Sequence, residues 1–144
     1  MISPTDSAAP RRALVLVGHG SARNPGTRKP ICANVQALRE RGIFDEVRCG
    51  LWKEEPHVSI TLEKVTAGEV VVVPFFIADG YYTQTVIPEQ MRLSGALTER
   101  GGQRIRYTRA VGSHPRFADL IIHHAQAAGW RSGDAFVVVA AATE

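Results

Sequence analysis

Ala13-Leu14-Val15-Leu16-Val17-Gly18-His19-Gly20-Ser21 is an apolar run that stops at a histidine held between two glycines. Five consecutive apolar residues without polar alternation predict a strand covered on both faces, as in a parallel sheet packed between helices. The Gly-His-Gly-Ser that follows predicts a loop at the strand's carboxyl end. In open α/β sheets that edge receives ligands, and flanking glycines let backbone and imidazole approach one without side-chain obstruction. His19 is therefore the first candidate for chemistry.

Outward from this strand the same unit recurs. A helix is expected from Pro30 to Arg41, with Ile31, Val35 and Leu38 on one face and Gly42 closing it. Asp45 to Trp52 alternates in part and predicts a second strand, which runs into Lys53-Glu54-Glu55-Pro56 and a helix from Pro56 to about Thr66. Glu69 to Ile77, with four consecutive valines, predicts a central strand, with Pro74 near its carboxyl end where the ladder tolerates a missing N–H. Ala78 to Thr83 reads as a loop, and Pro88 opens a third helix that carries Met91 and Leu97 and stops at Gly101-Gly102. Arg104 to Val111 alternates as a fourth, less buried strand. After Gly112-Ser113-His114-Pro115 comes a helix with Phe117, Leu120, Ile121, Ala125 and Ala128 inward and Gly129 at its end.

Each expected helix has proline in its first turn and glycine at its end, so the punctuation supports four βα units. Such units imply a parallel sheet with right-handed crossovers and every strand tip at one edge. His19, Glu54, Glu55, Tyr82 and His114 all follow expected strands, and one cleft can gather them.

The chain has 144 residues, enough for one domain with both faces of a sheet covered. Seventeen Lys and Arg against fourteen Asp and Glu give a formal charge of +3, which favours an acidic small molecule or a polyanion. No dense basic run is interleaved with aromatics, so nucleic acid is not an expected partner. Cys32 and Cys49 are isolated, without C-x-x-C, and are expected as reduced thiols rather than zinc or iron–sulfur ligands.

Residues 1–12 hold two prolines and small polar residues, lack the apolar core of a signal peptide, and are expected to be a disordered tail. No stretch reaches membrane-spanning length, so the expected location is the cytoplasm, with no membrane partner. Residues 131–144 are expected to add a strand. Ala135 to Thr143 matches Ala13 to Ser21 in pattern, and chance explains this as well as duplication does. On the duplication reading it starts a degenerate second repeat with Ala141 in the place of His19.

The loop Ser21 to Lys29 carries Arg23, Arg28 and Lys29, either as a solvated loop or as a grip for substrate carboxylates. Glu54 and Glu55 precede a helix-opening proline, where acidic side chains favour the helix dipole as readily as they serve catalysis. Both alternatives stay open on these residues alone.

Four ordered motifs together resemble the CbiX/SirB sirohydrochlorin chelatases over roughly residues 12–128. They are Leu-Val-Gly-His-Gly-Ser at 16–21, Glu-Glu-Pro at 54–56, Val-Pro-Phe-Phe-Ile-Ala-Asp-Gly at 73–80 with Ile87-Pro88, and Val-Gly-Ser-His-Pro at 111–115. The resemblance implies a chelatase-like, three-layer α/β domain over 13–130, with a central, mostly parallel sheet of four or five strands. It implies a lyase that inserts Co²⁺ or Fe²⁺ into sirohydrochlorin or a related tetrapyrrole, in cobalamin or siroheme biosynthesis. The metal is then a substrate, no permanent cofactor is expected, and the single-repeat form implies a homodimer.

The resemblance further makes His19 the metal ligand and proton acceptor, with Glu54 or Glu55 as its acidic companion. Ser21, Arg23, Arg28, Gly80 and Tyr82 are implied to line the substrate. One position departs from the family pattern, because Tyr82 stands where a second histidine normally lies. Imidazole titrates near neutrality and binds mid-row divalent metals, whereas a phenol with a pKa of about 10 does neither without a metal or cation beside it. This departure keeps a second expectation in play, a tetrapyrrole- or metal-binding protein of the same fold without catalysis.

Overall fold

The computed structural model describes residues 9–139. Strand β1 (Arg12–Gly18) is buried from Ala13 onward, as its unbroken apolar run requires. It pairs in parallel with β2 (Glu46–Leu51) on one side and β3 (Glu69–Pro74) on the other. β3 pairs in parallel with β5 (Gln103–Tyr107), and β4 (Leu97–Arg100) closes the far edge antiparallel to β5. The five-stranded order β2-β1-β3-β5-β4 is the mostly parallel α/β sheet expected.

Alternation along the strands divides the core between two faces. Ala13, Val15 and Val17 join Val70, Val72 and Ile105 on one face. The cover there is α2 (Val58–Thr61), the 3₁₀ turn Leu62–Lys64 and α3 (Ile87–Gln90), through Val58, Leu62 and Ile87. Leu14 and Leu16 join Val47 and Leu51 on the other face, under Ile31 and Val35 of α1 (Lys29–Glu40).

Three expectations between residues 56 and 111 are corrected. The helix expected over 56–66 is a single turn plus a 3₁₀ turn, because Pro56 stays outside it with its carbonyl accepting from the Leu51 N–H, and His57 caps the turn. The fourth strand stops at Tyr107 rather than continuing to Val111, where the Asp79 carboxylate takes the Ala110 N–H out of any ladder. The helix expected from Pro88 to Gly101 ends at Gln90. A π-helical turn over Tyr82–Val86 precedes it, and Leu97 to Arg100 is a strand. Gly101 and Gly102 have φ of 56° and 77°, so they form a two-residue hairpin turn in which both central residues need positive φ.

The chain divides into two compact units, one ending at Ser113 and the other beginning at His114. The second unit contains α4 (Phe117–Ala127), on which Phe117, Ile121 and Ala125 are half-buried. Leu120 and Ala128, expected inward, are exposed, because no side chain of this helix is fully covered. The indole of Trp130 meets the ring of Phe136 at 5.9 Å beyond its end. Residues 135–139 form no strand, and the remainder of the expected 131–144 strand, with Ala141, lies outside the described residues. Of the expected tail 1–12, residues 1–8 also lie outside them. Among the described residues no helix is long and apolar enough to cross a membrane.

Candidate active site

The sheet delivers His19 immediately after β1, and the neighbouring strand ends hold its backbone from both sides. Phe75 N–H donates to the Val17 carbonyl at 2.7 Å, Trp52 N–H to that of Gly18 at 3.0 Å, and Lys53 N–H to that of His19 at 2.8 Å. The imidazole itself is exposed. Its Nδ1 lies 2.9 Å from the Gly20 carbonyl. A carbonyl only accepts, so this contact places the ring proton on Nδ1 and leaves the Nε2 lone pair free.

Gly20 turns the chain at φ 67°, and a Cβ there would lie 2.9 Å from Glu54 Cγ. The missing side chain lets Glu54 close on the loop, where Oε1 accepts the Ser21 N–H at 3.1 Å. Arg28 Nη1 stands 3.9 Å from Glu54 Oε2. Ser21 Oγ in turn accepts the N–H groups of Arg23 at 3.2 Å and Asn24 at 3.1 Å, which winds the basic loop back toward α1. The side chains of Arg23 and Lys29 are exposed beside it.

The two adjacent glutamates thus separate. Glu54 is largely covered and joined to the His19 loop, whereas Glu55 Oε2 accepts the His57 N–H at 2.9 Å. His57 is occupied in its own cap, with Nδ1 2.8 Å from Ser59 Oγ. His114 lies in the second unit, where its Nδ1 accepts the Arg116 N–H at 3.1 Å.

Tyr82 approaches from the π-helical turn. Its ring meets that of His19 edge to face, with centroids 4.9 Å apart. Gly80 starts this turn, its N–H donating to Thr83 Oγ1 at 2.9 Å while its carbonyl accepts from Gln84 at 2.8 Å. Tyr81 is 70% exposed, and its ring meets that of Tyr82 with centroids 5.9 Å apart. His19, Ser21, Glu54, Arg28 and Tyr82 therefore form one neighbourhood, while Glu55 turns away from it.

Residues that position this neighbourhood include some that sequence reasoning passes over. Asp79 Oδ1 accepts the Ala110 N–H and Oδ2 accepts from Arg109 Nε, both at 2.8 Å. The Ala110 N–H, and then Arg109, hold its carboxyl below the usual aspartate value. Gly112 permits a close backbone crossing, since a Cβ there would collide with the Ile77 carbonyl. Tyr107 donates to the Thr83 carbonyl at 2.7 Å, and burial pushes its phenol up, so it is a fixed donor. The Asp-Gly after β3 is the only local signal for these ties, and it reads as a plain turn.

A cavity of about 510 Å³ lies between the π-helical turn and β5, lined by Asp79, Thr83, Gln84, Tyr107 and Arg109. It does not include the exposed His19, and the chemistry follows the imidazole rather than this hollow. Among the described residues no three His, Cys, Asp or Glu side chains converge on a metal position. The arrangement offers one free imidazole nitrogen, an aromatic edge beside it and basic side chains around it.

Comparison with known proteins agrees with this architecture. A probable sirohydrochlorin cobaltochelatase of Halobacterium salinarum is 36% identical over 144 residues, covering 87% of this chain and 49% of that protein. The chain thus spans about half the length of that relative. A multi-domain protein of Deinococcus radiodurans, with structural similarity to chelatases and two additional novel domains, superposes with a TM-score of 0.79 at 36% identity, over 87% of this chain and 30% of that one. The sirohydrochlorin chelatase SirB of Bacillus subtilis subspecies spizizenii, solved in complex with cobalt, shares the fold at 20% identity. Its TM-score is 0.67 over 81% of this chain and 50% of that one. The CbiX family model matches residues 13–128, and the chain belongs to that family.

Proposed function

We propose that this chain inserts a divalent metal ion, Co²⁺ or Fe²⁺, into sirohydrochlorin or a closely related tetrapyrrole. The observation that carries the reading is the exposed His19, with Nε2 free and its loop braced by Glu54 at the carboxyl edge of a parallel sheet. The name of the Halobacterium relative supports cobalt and sirohydrochlorin as the reactants.

Insertion exchanges two pyrrole N–H protons for one M²⁺, so the site must hold a metal loosely and take up protons. An imidazole near neutrality serves both tasks in turn, since the Nε2 lone pair that binds the incoming ion can accept one of the two protons once the ion has moved to the macrocycle, while the other passes to solvent. Glu54 keeps the Gly-His-Gly-Ser backbone in place by accepting the Ser21 N–H. Tyr82 offers an aromatic edge to the flat ring. Arg23, Arg28 and Lys29 suit the macrocycle's carboxylates, for which an arginine fork is well shaped.

Glu54, rather than Glu55, is assigned the acidic role, because Glu54 holds the loop that carries His19 through the Ser21 N–H, whereas Glu55 accepts the His57 N–H. The metal is a substrate that leaves with the product, so the reading calls for no permanent cofactor. The exposure of His19 supports a homodimer, in which a second copy supplies the facing wall of the macrocycle site. A cytoplasmic location fits the same reading.

The test mixes the protein with sirohydrochlorin and Co²⁺ or Fe²⁺ and follows the macrocycle's absorbance. Insertion well above the uncatalysed rate, abolished by His19→Ala, is expected. Tight macrocycle binding with no acceleration would overturn the enzyme reading in favour of a tetrapyrrole-binding protein. Faster insertion by Tyr82→His would assign the second imidazole position to residue 82.

A further inference from the structure

We propose that Trp52 and Lys53 form a carboxylate-binding corner of the tetrapyrrole site, where the indole holds the Lys53 ammonium in place for an acidic side chain of the macrocycle. The assignment rests on the metal-insertion reading above and adds to it a determinant for a poly-carboxylate ring. Its basis is the position of the two residues just past the end of β2, the strand beside β1.

Strand alternation sets the direction of the indole. Leu51 belongs with Leu16 to the cluster under α1, and Trp52, one residue on, packs against the opposite cluster, which contains Val58, Leu62 and Ile87. The π-helical turn that carries Tyr82 leads into α3 on that same face. The Trp52 N–H donates to the Gly18 carbonyl at 3.0 Å and the Lys53 N–H to that of His19 at 2.8 Å, so both residues are anchored directly to the loop that presents the imidazole. Trp52, His19 and Tyr82 thus follow three adjacent strands, β2, β1 and β3, at the carboxyl edge of the sheet.

The charge at this corner is held and unshared. Lys53 Nζ lies 4.9 Å from the centroid of the indole, which His57 also meets with ring centroids 5.5 Å apart. An ammonium over an indole is attracted by the ring quadrupole, and the contact restrains a stem that otherwise loses rotamer freedom when a ligand binds. Glu54 and Glu55 adjoin Lys53 in sequence, but Glu54 meets the Ser21 N–H and Arg28, and Glu55 meets the His57 N–H. Among the described residues Lys53 joins no ion pair, whereas Arg28 already faces a carboxylate.

The indole itself carries a cost that packing does not explain. Its Nε1 is buried and has no hydrogen-bond partner among the described residues. A buried N–H without an acceptor is destabilising, and a phenyl ring would fill much of the same space without one. Of the aromatic side chains tryptophan binds a cation best, so the residue suits its contact with Lys53 better than its place against the core.

The test titrates metal-free sirohydrochlorin into the full chain, reads Kd from the macrocycle's absorbance, and then measures KM and kcat for insertion of Co²⁺. Lys53→Met keeps the stem and drops the charge. It is expected to raise Kd and KM by about tenfold, as for one lost hydrogen bond to a charged group, with kcat within about twofold of native. Lys53→Arg is expected to restore most of that loss. Trp52→Phe is expected to weaken binding in the native chain and to add little beside Lys53→Met, because the indole acts through the ammonium. Native Kd and KM in Lys53→Met, or equal losses from Trp52→Phe with and without Lys53, would overturn the assignment and leave the metal-insertion reading intact. A native chain that neither binds the macrocycle nor accelerates insertion would overturn both.

Discussion

His19 combines an exposed side chain with a backbone held by three neighbouring N–H donors at Val17, Gly18 and the histidine itself. Removing the imidazole should therefore cost function and spare the fold. His19→Ala is expected to bring metal insertion to the uncatalysed rate while changing unfolding free energy by less than about 0.5 kcal/mol, as for other surface substitutions. Gly20→Ala should do the opposite. Its φ of 67° is unfavourable for any side chain, and the new Cβ would press on Glu54 Cγ, so a loss of about 1–2 kcal/mol is expected from urea unfolding. The two variants separate chemistry from support at adjacent positions. His19 is legible in sequence because an imidazole between glycines has little packing purpose. The division of labour between Glu54 and Glu55 is not, since two identical side chains on one turn differ only in which N–H each meets.

At the scale of elements, the α1 boundaries and the three long parallel strands follow directly from apolar runs and proline–glycine punctuation. The stretch 88–102 does not, because glycine ends helices and also makes hairpins. Read locally, Gly101-Gly102 closes a helix started by Pro88. The pairing of Leu97 with Arg106 and Thr98 with Ile105 decides otherwise, and that pairing depends on β3 offering an edge to β5. The hairpin makes a prediction of its own. Both glycines have positive φ and open space where a Cβ would lie, and Asn is the side chain best suited to the first position of such a turn. Gly101→Asn should raise stability by about 0.4–1 kcal/mol by restricting the unfolded chain, whereas Gly101→Val, forced to positive φ, should lower it. Thermal or urea unfolding of the two variants checks the sign.

Across the whole sheet, carboxylates tie together segments that the strands alone leave apart. Glu46 does so near the amino ends of β1 and β3, where burial works against its charge but hydrogen bonds from Thr66 and Arg48 hold its carboxyl low. Asp79 does so at the carboxyl edge, between the loops after β3 and β5. Neither tie is legible in the sequence, because Thr66 lies 20 residues from Glu46 and Ala110 lies 31 from Asp79, and these become neighbours only through the strand order. Both carboxyls have folded pKa values below their unfolded ones. A depressed carboxylate pKa adds stability that is present above the unfolded value and is lost as pH falls through the folded one. For Asp79 the unfolded value is 3.8, so its contribution is complete near neutrality and fades below that point. Asp79→Asn keeps the shape but cannot become a charged acceptor for Ala110 and Arg109. The variant should unfold at lower urea than the native chain at neutral pH, and the two midpoints should converge as the solution is acidified below 3.8. Glu46 is present in both proteins and cancels from the comparison. A gap between the midpoints that stays constant through the acid range would show that Asp79 acts by shape rather than by charge.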